Sequence, residues 1–113
     1  MNSRSSTPDP RADAPYPGVR RRTFDTAQAT IAEYTFEPGA SFPLHRHPHE
    51  QITVVRDGSV ELTIGGRVTT LGPGQWSAIP GGEQHGITAG DQGASFLAIL
   101  VPRRAPDEEI TLA

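Results

Sequence analysis

The chain has no cysteine and no lysine, and all ten of its basic residues are arginine. Without cysteine there can be no disulfide, no thiolate metal site and no cysteine nucleophile. No apolar run approaches the length that spans a bilayer, and the N-terminus lacks the apolar stretch of a secretion signal. The expectation is therefore a cytoplasmic protein with no membrane partner. Charge of one sign is also scarce: the net charge is −3, with acids and arginines interspersed. The only basic clusters, Arg20-Arg21-Arg22 and Arg103-Arg104, lack the interleaved aromatics of a nucleic-acid surface and read as solvated strand ends. No nucleic-acid partner is expected.

At 113 residues the chain makes one domain. Its core has little surplus, so a closed architecture or pairing with a second chain is needed. Residues 1–18 carry four prolines and almost nothing apolar, and read as a disordered or extended arm. Residues 102–113 read as a tail lying over the surface or fraying. Between them, over 19–101, turn signals recur every eight to twelve residues or so, among them Pro38-Gly39, Asp57-Gly58, Gly65-Gly66 and Gly90-Asp91. The intervening segments, such as ATIAEYTF, QITVVRD, SVELTI and SFLAILV, are rich in Val, Ile, Thr and aromatics. This beat predicts an all-β sandwich or barrel. SVELTIGGRVTTL predicts the clearest local unit, a hairpin closed by Gly65-Gly66.

Three of the four histidines crowd into five positions, in PLHRHPHEQ. Side chains at i and i+2 of a strand share a face, about 6.5–7 Å apart along the chain. Pro43 and Pro48 hold this stretch extended, so His45 and His47 aim into one space. An HxH pair alone is equally two polar residues at a strand end. A distant His85 and a nearby oxygen donor shift the reading towards a metal site. Neutral imidazoles with one amide or carboxylate oxygen suit Zn, Ni, Mn, Fe, Co or Cu in the divalent state.

At this point the sequence resembles the cupin superfamily. Gly39 is followed after five residues by His45-x-His47, after three more by Gln51, and after six by Gly58. Gly74 leads after five residues to Pro80-Gly81-Gly82 and after two to His85; Ala89 stands where the second motif usually has Asn. The resemblance implies a double-stranded β-helix, a jelly-roll barrel, holding one divalent transition metal through His45, His47, Gln51 and His85. Gln51 replaces the usual Glu. An amide oxygen can still coordinate, but it brings no negative charge and cannot act as a general base. Affinity should fall while Lewis acidity and attraction for an anion rise.

An ion held by three histidines and an oxygen keeps open positions where a substrate can enter, unlike a closed structural site. The favoured reading is an enzyme using that ion as a Lewis acid on a small anionic, sugar-like or oxoacid substrate, by isomerisation, ring opening or a lyase step. The wording around Gln51 is similar to that of small cupins that linearise unsaturated uronates. Of the Asp, Phe and Arg those cupins carry near the last strand, only Arg104 is matched; Ala98 and Leu100 stand at the other two positions. A metal-dependent dioxygenase and a non-catalytic ligand-binding or accessory cupin are the alternatives.

His49 and Arg104 are the candidate catalytic residues, one to shuttle protons near neutral pH, the other to clamp a carboxylate. The plainer reading of His49 is a surface histidine beyond Pro48. Glu33, Glu50, Arg56 and Glu61 read as solvated. Tyr34 and Phe36 share a face that suits core packing, and Trp76 suits either the pocket wall or the core. A homodimer through outer strands, with N-terminal segments contributing, is expected from the resemblance.

Overall fold

The structure, a computed structural model, describes residues 11–104 and 111–112. Nine strands follow one another: β1 (Arg11–Tyr16), β2 (Val19–Asp25), β3 (Thr30–Phe36), β4 (Ser41–Arg46), β5 (Glu50–Ile64), β6 (Arg67–Leu71), β7 (Trp76–Ile79), β8 (His85–Val101) and β9 (Thr111–Leu112). No helix occurs among the described residues, so none is long and apolar enough to cross a membrane. All pairings are antiparallel.

Two long strands organise the barrel. The second half of β8 pairs with β3 on one side and the first half of β5 on the other; its first half pairs with β4 and the second half of β5. One layer therefore runs β1-β2-β3-β8-β5-β7, and the facing layer runs β9-β4-β8-β5-β6. This is the jelly-roll barrel expected from the sequence, and the hairpin β5–β6 closes at Gly65-Gly66 in the expected register, with Ile64 opposite Arg67.

The strands pass between layers at irregularities that the sequence reading took for turns. Asp57-Gly58 does not reverse the chain. It lies inside β5 at two register shifts against β8, a bulge that bends the strand and raises its twist. Gly58 and Gly93 both adopt positive φ, 71° and 74°. A Cβ on Gly58 would overlap the Gly93 carbonyl oxygen, so no other residue fits this crossing. Gly90-Asp91, also read as a turn, lies within β8.

Of the arm expected over 1–18, residues 1–10 lie outside the described residues, but Arg11–Tyr16 is β1, paired with β2. Of the tail expected over 102–113, residues 105–110 and 113 lie outside the described residues, and Thr111–Leu112 is β9, against Arg46 and His45 of β4.

Inward positions alternate along each strand, as period-two geometry requires. Phe36, Phe42, Val55, Val60, Leu62, Ile79, Ile87 and Phe96 form the buried core. Phe36 and Phe96 meet with ring centroids 5.0 Å apart. Phe42 packs 4.7 Å from the His45 ring, so the apolar core continues directly into the histidine cluster.

Candidate metal centre

His45 stands in β4 directly opposite His85, the first residue of β8, and His47 follows one residue after β4 ends. Strand pairing thus joins two histidines forty positions apart in the chain, while the i,i+2 geometry supplies the third. All three are buried, at 6%, 6% and 2% exposure for His45, His47 and His85. One ligand nitrogen from each lies within 4.8 Å of the others, so this group can hold a metal ion. Bonds of about 2.1 Å would draw the rings slightly inward.

Each ring is aimed by the same device. Nδ1 lies against a main-chain carbonyl two residues away: Pro43 for His45 at 2.8 Å, His49 for His47 at 3.1 Å and Glu83 for His85 at 2.9 Å. A proton on Nδ1 donating to that carbonyl leaves Nε2 unprotonated and facing the shared space, the arrangement that fixes tautomer and orientation in metal-ligating histidines. Burial opposes charging of the rings. It is the main cause that pushes His45 down to about 4, and it also lowers the pKa of His47 and His85 below the ordinary value. At neutral pH all three are neutral imidazoles, the state that ligates.

Two polar atoms in this cluster call for a cation. His85 Nε2 is buried with no hydrogen-bond partner. His47 faces oxygen from both ring nitrogens, with Gln51 Oε1 3.1 Å from Nε2 and the His49 carbonyl at Nδ1. A neutral imidazole has one proton, so in either tautomer one lone pair opposes an oxygen lone pair. A cation between Nε2 and Oε1 removes that conflict. The Gln51 amide is turned this way by its own NH2, which donates to Thr53 Oγ1 at 3.1 Å, and Thr53 is fully buried. A void of about 20 Å³, lined by Tyr34, His45, Gln51 and His85 among others, lies beside these atoms, close to the space one small ion or water needs. The donor set fits a borderline divalent ion.

The cluster opens into a larger cavity of about 450 Å³, walled by β1, β2 and β3 and floored by Ala98 and Leu100. Three arginines and one aspartate line it. Arg11 pairs with Asp25 at 3.1 Å. Arg21 makes a two-pronged pair with Asp13, through Nε at 2.9 Å and through Nη2. Arg104 has no carboxylate partner among the described residues, and its backbone N–H donates to Thr30 Oγ1 at 2.9 Å. Among the described residues, the cavity lining therefore carries more positive than negative charge even without an ion.

Of the sequence-derived candidates, His45, His47, Gln51 and Arg104 line this cavity, and His85 lines the small void beside it. His49 is not on the surface as the plainer sequence reading had it: it is 2% exposed, with its ring 5.6 Å from that of His47. It is not among the residues lining the cavity. Trp76 is neither core nor wall but 65% exposed on β7. Arg56 and Glu33 pair on the outside at 3.3 Å, and Glu50 and Glu61 are exposed. Sequence reasoning passed over Asp13 and Arg21, which lay in the presumed arm and in a cluster read as solvated. The available signal was the run of opposite charges, Arg11-x-Asp13 against Arg20-Arg21-Arg22, on either side of Pro17-Gly18.

Comparison with known proteins agrees with this geometry. The Cupin_2 family, described as Cupin domain, matches residues 32–100. The structure of KdgF from a Halomonas species is similar over 83% of this chain and 87% of that one, at 27% identity and a TM-score of 0.76. An RmlC-like cupin from Shewanella frigidimarina matches 95% of this chain and 92% of its own, at 19% identity and 0.76. Oxalate decarboxylase from Bacillus subtilis matches 96% of this chain but only 30% of its own length, at 24% identity and 0.79. The last two likenesses concern the fold alone. No curated protein matches the chain.

Proposed function

The chain belongs to the cupin domain family, and we propose that it is an enzyme in which one divalent ion, held by His45, His47, His85 and Gln51, acts on a small anionic, oxygen-rich substrate. The observation that carries this reading is the arginine-lined cavity of about 450 Å³ that opens directly onto His45 and His47 of the cluster. A structural site would be closed; here one side of the cluster faces space large enough for a small ligand.

When bound, the ion supplies Lewis acidity to a hydroxyl or carbonyl oxygen of the substrate. His45, His47 and His85 bring neutral nitrogens, and Gln51 brings an oxygen without charge, so the protein leaves the positive charge of the centre uncompensated. Arg104, without a carboxylate partner among the described residues, is assigned the substrate carboxylate. Ala98 and Leu100 offer no acid or base on the floor. His49 faces His47 rather than the cavity, and we assign it the holding of that ring through its carbonyl in place of proton transfer.

The Gln51→Glu variant tests the charge argument. A carboxylate in that position should tighten metal binding by about tenfold or more, since each 1.36 kcal/mol of added attraction is a factor of ten. Turnover of an anionic substrate should fall by a similar factor. A chelator competition titration and kcat/KM read the two effects, and unchanged turnover would remove the electropositive-centre argument.

The function itself is tested by screening the metal-loaded protein against uronates and small 2-hydroxy acids with NMR detection, alongside chelator-treated protein and an oxygen electrode. Turnover of an acid without oxygen uptake, lost on chelation, is the expected result. Oxygen consumption would favour a dioxygenase. Binding without turnover across the panel would favour an accessory, ligand-binding cupin.

A further inference from the structure

Asp13, Arg21 and Tyr34 form one cross-strand row. Asp13 is the direct partner of Arg21 between β1 and β2, and Arg21 is the direct partner of Tyr34 between β2 and β3. All three line the metal cavity. Arg21 is held by its two-pronged pair with Asp13 and donates from Nη1 to the Tyr34 hydroxyl oxygen over a long 3.4 Å. The Tyr34 ring is fixed by stacking on Phe96, centroids 5.0 Å apart and planes 19° apart, and by edge contact with Phe42 at 6.0 Å.

A phenol both accepts and donates. Arg21 occupies the oxygen, while the hydroxyl hydrogen meets no acceptor among the described residues. Burial, the leading cause, raises the Tyr34 pKa against the opposing pull of Arg21, so the hydrogen is present at neutral pH. Asp13 neutralises Arg21, which makes this wall a hydrogen-bond donor rather than a second cationic clamp.

We infer that the Tyr34 hydroxyl is a ligand-contacting group on the cavity wall, which donates a hydrogen bond to a substrate oxygen that the metal does not hold. The inference rests on the metal-and-cavity reading above and narrows it. The substrate class becomes polyhydroxy acids that carry this additional oxygen, in preference to two-carbon acids whose oxygens all engage the ion. A carboxylate lacking that additional oxygen leaves the phenol unpaired, which is the usual origin of discrimination by a buried polar group.

The test uses the full chain loaded with zinc and two probes, D-glucuronate and glycolate, titrated calorimetrically into the wild type and Tyr34→Phe. Phenylalanine keeps the ring packing, and zinc content and Tm check that the site and fold are intact. Loss of one neutral hydrogen bond should weaken glucuronate about five- to tenfold and leave glycolate within about twofold. Equal binding of glucuronate by both proteins would show that Tyr34 only packs, and the inference would fall while the metal reading stood. An equal loss for both probes would place the effect at the metal end and overturn it as well. No binding of either probe by the zinc-loaded wild type would overturn the metal-and-cavity reading and this inference together.

Discussion

Gly81→Ala is expected to lose both stability and metal affinity, although residue 81 touches no candidate ligand through a side chain. A Cβ at this position would overlap the Pro48 carbonyl oxygen and come within 3.1 Å of the Pro48 carbonyl carbon. Backbone cannot rotate away as a flexible side chain can, so the turn after β7 or the Pro48-His49 segment must shift. That segment is the one that aims His47. The Gly82 N–H donates to the His47 carbonyl at 2.8 Å, and the His49 carbonyl accepts from the His47 ring. Overpacking of this kind costs about 1–3 kcal/mol, which lowers Tm by roughly 5–20 °C in a domain of this size. Gly66→Ala provides the control. Gly66 has positive φ, 83°, but nothing within 4 Å of an added Cβ. It should therefore show backbone strain of about 1 kcal/mol with unchanged metal affinity. Thermal unfolding and chelator competition on both variants separate the two. Equal metal affinity in Gly81→Ala and wild type would show that the turn does not support His47.

The larger effect on metal binding is expected from His45→Ala. The three rings face one another, with the His45 centroid 5.5 Å from His47 and 4.2 Å from His85, and His47 4.8 Å from His85. Removing an outer partner of a ligand typically costs 10–100-fold in affinity, and removing the ligand itself should cost more, at least about 100-fold. The variant leaves His47 and His85, whose ring centroids are 4.8 Å apart, as the two remaining imidazoles of the cluster. A ligand that binds only the folded state raises its stability by mass action. Metal addition should therefore raise the Tm of the wild type and leave that of His45→Ala unchanged.

Much of the site was legible in the sequence because it depends on spacing. His45 and His47 share a face by strand parity, and the Gly-to-His distances in both motifs carried the partnership with Gln51 and His85. The β5–β6 hairpin was legible for the same reason, two alternating runs meeting at Gly-Gly. What escaped was whatever depends on a partner strand. An Asp-Gly pair can close a hairpin or bulge a strand, and only the presence of β8 beside Asp57-Gly58 decides between them. The composition of residues 11–16 argued for an arm, yet Asp13 and Arg11 find Arg21 and Asp25 across the sheet, and those ion pairs tie β1 down. His49 was read as exposed because burial of a loop residue depends on what packs over it, which parity does not encode.

The three histidines and Gln51 are proposed to hold one divalent ion. Elemental analysis of protein purified without added metal, run beside His45→Ala, tests this most directly. Close to one equivalent of a first-row divalent metal per chain is expected in the wild type, with only trace amounts in the variant. A wild type that holds no metal even after incubation with zinc, nickel, manganese, iron, cobalt and copper, or a His45→Ala protein that holds as much as the wild type, would contradict it.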